Sequence, residues 1–200
     1  MLKAGLSGGI GSGKTTVSKV FQTLGVPVFY ADDAVKSLYN TDKSLQQSML
    51  NLLGTSIYSN GQLQARALAT LIFNDDHLLR RVNELTHPIL LKAFMAWAQE
   101  QKTPYVLLEA AILFEAGIAG EMDINISVSA PESTRIARVM QRDGCSEEEI
   151  RLRMSKQWSD EQRNAKADFV IINDNREALL PQIITIHEKI INTKFVTRDA

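Results

Sequence analysis

The stretch "GLSGGIGSGKTT" near the amino end constrains this chain more than any other part of it. It follows the apolar run Leu2 to Leu6 and leads into Thr15 to Leu24, which is helical in period and stops at Gly25, a residue favoured just past a helix terminus. Gly8, Gly13, Lys14 and Thr15 fill every fixed position of the pattern G-x-x-x-x-G-K-[ST]. Phosphate oxygens need several donors at once, and a loop without side-chain bulk can turn successive N–H groups inward to supply them. The helix that follows adds its positive end. In that arrangement Lys14 reaches the β- and γ-phosphates of a nucleotide, and the Thr15 hydroxyl holds Mg²⁺.

Further apolar runs bounded by turn residues predict four more strands: Val26 to Phe29, Tyr105 to Leu108, Ile124 to Val128 and Phe169 to Ile172. None alternates cleanly with polar residues, so both faces are expected to be covered, as in a parallel sheet under helices. Two helix starts match the Ser-x-x-Glu capping box, Ser129 with Glu132 and Ser146 with Glu149. Strands alternating with helices predict an α/β fold, a doubly wound parallel five-stranded sheet with helices on both faces, of the P-loop NTPase type. From Asp33 to Lys102 the pattern is helical throughout, with one turn-rich break at "LLGTSIYSNGQL", and reads as an insertion between the second and third strands. A second helical excursion, Pro131 to Ala167, carries six arginines and lies between the fourth and fifth strands. The nucleotide-binding core is then expected over residues 1–32, 103–130 and 168–200, with a helical insertion at 33–102 and a lid region at 131–167.

Composition excludes several partners. A formal charge of −1 with Lys and Arg spread along the chain argues against a nucleic-acid or membrane-surface binder, so anion binding must be local. One cysteine, Cys145, cannot form an internal disulfide, and no Cys/His cluster has zinc spacing. No stretch approaches the apolar length of a membrane span, and a cytoplasmic protein is expected, a monomer or weak homo-oligomer.

Loops of this kind serve GTPases, motor ATPases and small-molecule kinases, so the reaction must come from elsewhere. The Asn-Lys-x-Asp run of a guanine-specific switch is missing, and the strand "YVLLEA" ends in Glu109 alone rather than the Asp-Glu expected of a motor. Arg135, Arg138 and Arg142 recur at three- and four-residue spacing and share a helix face that could close over phosphates, the charge distribution a phosphoryl transfer requires. A solvated face of ion pairs is the competing reading. Asp32, just past the second strand, is expected near the first strand and the phosphate loop, where it could serve an acceptor hydroxyl as base or orienting group. It could equally cap the helix that begins at Asp33.

Taken in order, "GLSGGIGSGKTTV", "LGVPVFYAD", "LIFND", "THPIL", "ILFEAG", "RVMQRDG" and "ADFVIINDN" resemble the dephospho-coenzyme A kinase family over nearly the whole chain. The resemblance implies that ATP phosphorylates the 3′-hydroxyl of dephospho-CoA, giving CoA and ADP, with Mg²⁺ as cofactor. It implies that Gly9, Ile10, Gly11, Ser12, Gly13, Lys14, Thr15 and Thr16 bind ATP, with Arg138 and Arg142 in the lid and Asp32 facing the acceptor. The helical insertion would bind the CoA moiety, with Leu113 of "ILFEAG" nearby, although such apolar residues are ordinarily core. Where the family commonly has a second Asp before Ala31 this chain has Tyr30, and Ala65 stands at a usual arginine, leaving Arg66 one residue on as a substrate contact. "EAAIL" replaces a proline-containing run and leaves Glu109 as an extra acid that could hold a Mg²⁺-bound water, or serve at the surface or in an ion pair. His87, followed by Pro88, sits where a helix would begin, as a structural histidine or as a contact to the acceptor's phosphate. Two other readings share the loop: a kinase for another small acceptor, such as a nucleotide or a shikimate-like alcohol, and a non-catalytic ATP-binding switch.

Overall fold

A computed structural model describes residues 1–54, 57–73 and 75–192. Thr55 and Ser56 of the turn-rich break, Asn74 of "LIFND" and the end of the last core segment, 193–200, lie outside the described residues. The chain divides into two compact units, one formed by Met1–Phe29 with Gln101–Ala200 and the other by Tyr30–Glu100.

The first unit is built on strands β1 (Leu2–Ser7), β2 (Val28–Tyr30), β5 (Tyr105–Glu109), β6 (Ile124–Ser129) and β7 (Phe169–Ile172), in the order β2-β5-β1-β6-β7. The pairings β1–β5, β1–β6 and β6–β7 are all parallel. All five strands fall on the apolar runs of the sequence, but β5 lies between β2 and β1, so the second strand is not the neighbour of the first. Ala4, Leu6, Tyr105, Leu107, Ile126, Val128 and Ile171 form one buried face. Against it lie Val17 and Phe21 of α1 (Lys14–Thr23) and Ile183, Ile186 and Ile190 of α9 (Leu179–Asn192). Phe21 is 0 % exposed, and its loss would cost about 3–5 kcal/mol by the usual measure of a large core deletion.

On the opposite face β1 presents Gly5, where a Cβ would stand 2.6 Å from the Leu113 side chain. The turns after β5 and helix α8 (Asp160–Asn164) cover this face, and the buried Ser127 hydroxyl meets Asn164 there at 2.7 Å. Helices α6 (Glu132–Asp143) and α7 (Glu147–Met154) pack on each other through Ile136, Val139 and Ile150. The Ser146–Glu149 capping box forms at the start of α7. The Ser129–Glu132 box does not: α6 begins after Pro131 with no side-chain cap, because the Ser129 hydroxyl is bonded to Asp160 instead.

The second unit contains α2 (Ala31–Thr41), α3 (Lys43–Leu53), α4 (Ala65–Phe73) and α5 (Asp76–Gln99). Its core is Tyr39, Leu45, Met49, Ile57, Leu68 and Val82. Asp42 and Asp75 cap α3 and α5 by accepting from the amides of Leu45 and Leu78, each at 2.8 Å. The segment is not wholly helical. Tyr58–Ser59 (β3) and Gln62–Leu63 (β4) pair as an antiparallel hairpin. Asn60 and Gly61, with φ of 51° and 75°, make the tight turn that an Asn-Gly pair favours.

Candidate active site

The phosphate loop joins β1, the middle strand of the sheet, to α1. It lies at the carboxyl end of a parallel strand, where such sheets place their ligand sites. Gly13 is the N-cap of α1 in a left-handed conformation and has no side chain to offer the helix amides. The Ser12 carbonyl accepts from Asn173 Nδ2 at 2.7 Å. Because a trans peptide directs its N–H away from its C=O, this bond aims the Gly13 amide to the other side of the loop. Lys14 Nζ donates to the Gly8 carbonyl at 2.8 Å, so the ammonium lies along the loop. Ser12 Oγ is buried with no hydrogen-bond partner among the described residues, a polar atom left over inside the loop.

Helix α6 rests directly on this loop, but its arginines take different directions. Arg135 is buried and pairs with Asp160 at 3.4 Å. Arg138 reaches the Gly11 and Ser12 carbonyls at 3.4 and 3.5 Å and bonds to Asn173 and, at 2.6 Å, to Asn175 Oδ1. Arg142 is exposed and turned to its neighbour Asp143 at 2.6 Å, and that bond holds the Asp143 carboxyl below its usual range. Of the arginines expected to act together, the structure brings Arg138 to the loop, packs Arg135 against its glycines and leaves Arg142 turned to Asp143.

Glu109 ends β5, in register with Leu6 of β1, which places a carboxylate one strand away from the phosphate loop. It is only 8 % exposed, which removes the surface role. No group of three or more His, Cys, Asp or Glu side chains among the described residues has the arrangement of a metal cage. Mg²⁺ does not require one, since it keeps several waters and uses one or two protein oxygens plus phosphates. The exposed Thr15 hydroxyl and the Glu109 carboxylate are hard oxygen donors, and the donor chemistry fits that ion.

Leu113 is 0 % exposed and packs against Gly5, so it is core as it stands rather than the wall of a substrate pocket. In the second unit Asp32 is exposed in the first turn of α2, immediately after β2. It is not the N-cap, a position held by Tyr30 without a side-chain bond, because the helix starts two residues earlier than expected. Arg66 is exposed at the start of α4. His87 is not at a helix start but in the middle of α5, with Pro88 inside the helix. Burial pushes the His87 imidazole below its ordinary pKa.

Several residues that touch the loop were not singled out by sequence. Gln157 Oε1 accepts from the Ile10 amide at 2.9 Å. Arg163, 0 % exposed, bonds to Asp160 at 2.6 Å and to the Trp158 carbonyl. Burial works to raise the Asp160 carboxyl, but the bonds from Ser129 and Arg163 and the charge of Arg135 outweigh it and hold it low. The legible signals were the Ser159-to-Gln162 capping box, which forms, and the Asn-Asp-Asn run after the last strand.

Comparison with known proteins bears on the family and the fold. The family model described as dephospho-CoA kinase matches residues 2–178. A dephospho-CoA kinase from Porphyromonas gingivalis is 38% identical over 191 residues, covering 95% of both chains. One from Bacteroides fragilis is 37% identical over 186 residues, covering 92% of this chain and 91% of that protein. The crystal structure of TT1252 from Thermus thermophilus superposes with a TM-score of 0.83 at 29% identity, over 94% of this chain and 96% of that one. With the loop, the lysine and the parallel sheet in place, the chain belongs to the dephospho-CoA kinase family, the ATP-dependent kinases of the last step of coenzyme A synthesis.

Proposed function

We propose that this chain transfers the γ-phosphoryl group of ATP to the 3′-hydroxyl of dephospho-CoA, with the phosphates held by residues Gly9 to Thr16. The observation that carries this reading is the glycine loop at the end of the central strand, with Lys14 lying along it and Arg138 reaching its Gly11 and Ser12 carbonyls. Lys14 leaves the Gly8 carbonyl for the β- and γ-oxygens when nucleotide binds, and the loop amides supply the remaining donors. Thr15 and, through water, Glu109 would hold Mg²⁺, which when bound would supply positive charge to offset that of the phosphates.

Asp32 accepts the proton of the 3′-hydroxyl as that oxygen bonds to the γ-phosphorus and the bond to the β,γ-bridging oxygen breaks, leaving ADP. Its exposed carboxylate directly after a sheet strand supports this role. Within the lid region 131–167 the Arg142 side chain turns inward from Asp143, Arg138 already being at the loop, and the closed site excludes water that would otherwise hydrolyse ATP. The insertion 33–102 receives the CoA moiety, with Arg66 and His87 as contacts for its anionic groups. The enzyme works in the cytoplasm as a monomer or weak homo-oligomer. A single cysteine supports a reducing compartment, and no helix among the described residues is long and apolar enough to cross a membrane.

The test is ADP formation from Mg-ATP with dephospho-CoA, adenylate, shikimate or water as acceptor. Turnover with dephospho-CoA alone is expected; turnover with shikimate or adenylate in its place overturns the substrate. Asp32→Asn should lower kcat by about 10²–10⁴, the usual worth of a positioned base, with folding unchanged. A near wild-type rate in that variant removes Asp32 from the chemistry.

A further inference from the structure

We infer that Gln157 and the buried Arg163 are positioning residues for the phosphate loop, holding its Gly9–Ile10 corner in the shape that receives ATP. The inference rests on the proposed ATP site and adds residues that touch no substrate themselves. Gln157 Oε1 takes the Ile10 amide at 2.9 Å, fixing the orientation of the peptide between Gly9 and Ile10. The Ile10 side chain is anchored as well, against the α6–α7 cluster. At Gly9 a Cβ would run into Arg135 Nη1 and would stand 2.7 Å from Arg163 Nη2, so the bare backbone lies directly on two guanidinium heads.

Arg163 in turn shapes the turn that carries Gln157. Its fork donates to the Trp158 carbonyl at 2.5 Å, to Asp160 at 2.6 Å and to Glu115 at 3.4 Å. Glu115 also accepts from the Trp158 amide at 3.0 Å, so both peptide groups flanking Trp158 are pinned by the same ion pair. Asp160 ties the assembly to the end of β6 through Ser129 and the Ala130 amide. Stability is a poor reason for such a cluster. Two arginines and two carboxylates have been taken out of water, and Arg135 Nε, Arg163 Nε and Glu115 Oε2 find no partner among the described residues. What the cluster does fix is geometry, and a loop already in its bound shape loses less freedom when phosphate arrives.

The direct test is binding of Mg-ATP by calorimetry, with KM for both substrates and thermal unfolding, in Gln157→Met and Arg163→Lys. Gln157→Met keeps the side-chain length and removes the carboxamide, and with it the acceptor for the Ile10 amide. It should weaken ATP binding about 5- to 10-fold, the worth of one hydrogen bond, and leave the KM for dephospho-CoA within about twofold. Its melting temperature should stay within about 3 °C of wild type. Arg163→Lys keeps a charge for Asp160 and Glu115 but loses the planar fork, and should show the same selective loss of ATP affinity. If Arg163→Lys fails to fold, Gln157→Met alone decides. Unchanged ATP affinity in Gln157→Met, or an equal rise in both KM values, overturns the inference while leaving the proposed function standing. Wild-type protein that binds no Mg-ATP overturns both.

Discussion

Replacing Gly11 by alanine should damage this protein more than the same change at Gly25, although both glycines are left-handed. Gly11 has φ of 77° and Gly25 has φ of 82°, so alanine meets a similar conformational cost at each, about 1–2 kcal/mol for an L-residue in that region. The surroundings differ. A Cβ on Gly25 meets nothing within 4 Å, whereas on Gly11 it would lie 2.5 Å from the Arg135 carbonyl oxygen and 2.9 Å from its Cα. Those are backbone atoms of α6, which cannot swing aside as a side chain can, so helix and loop must separate. Overpacking of that kind adds about 1–3 kcal/mol. The expected totals are about 1–2 kcal/mol for Gly25→Ala and about 2–5 kcal/mol for Gly11→Ala, or roughly 3–6 °C and 6–15 °C in melting temperature for a chain of this size. Scanning calorimetry measures the difference, and titration with Mg-ATP should show affinity lost at Gly11 and kept at Gly25. If the two variants melt within about 2 °C of each other and bind nucleotide alike, the close seating of α6 on the loop does not matter energetically and the reasoning fails.

Other outcomes follow from the same geometry. Glu109→Gln should raise the Mg²⁺ concentration needed for half-maximal turnover several-fold, read from initial rates across a metal titration; an unchanged midpoint takes Glu109 out of the metal site. Arg142→Ala should lower kcat by about tenfold or more, as expected when a charged transition-state contact is removed, without a shift in melting temperature, since its exposed pairing with Asp143 adds little to stability. His87 has its pKa depressed in the folded protein by burial. Its contribution to stability is therefore present above about pH 6.5 and is lost as pH falls from there through the folded value, because the unfolded chain takes up the proton first. Urea unfolding at pH 7.5 and 5.5 should show a smaller drop for His87→Gln than for wild type, and an equal drop rules out His87 as the cause.

The elements were legible wherever one short-range rule decided them. Each sheet strand is an apolar run too short for a helix and closed by turn residues, so β1, β5, β6 and β7 appear within a residue of the expected limits and β2 within two. Local reading failed where a partner distant in sequence competed. Ser129 has the spacing of a capping box with Glu132, yet Asp160 takes its hydroxyl. Pro88 looks like a helix start, yet α5 runs through it, because the packing of Val82, Leu90 and Phe94 along one side of the helix outweighs a single broken backbone bond. The hairpin at Asn60–Gly61 was present as a turn signal but too short to register as strands among helices.

By itself the sequence determined the chemistry of the phosphate loop, since glycine, lysine and threonine at fixed spacing act through backbone freedom, one charge and one hydroxyl, all of them local properties. It also determined the family, through an ordered set of motifs. The tertiary structure alone decided that β5 separates β2 from β1, that Arg138 rather than Arg142 lies on the loop, and that Gln157 and Arg163 support it from more than a hundred residues away. Those relations depend on which strands are neighbours and which charges are buried together, and neither is written in the spacing of residues along the chain.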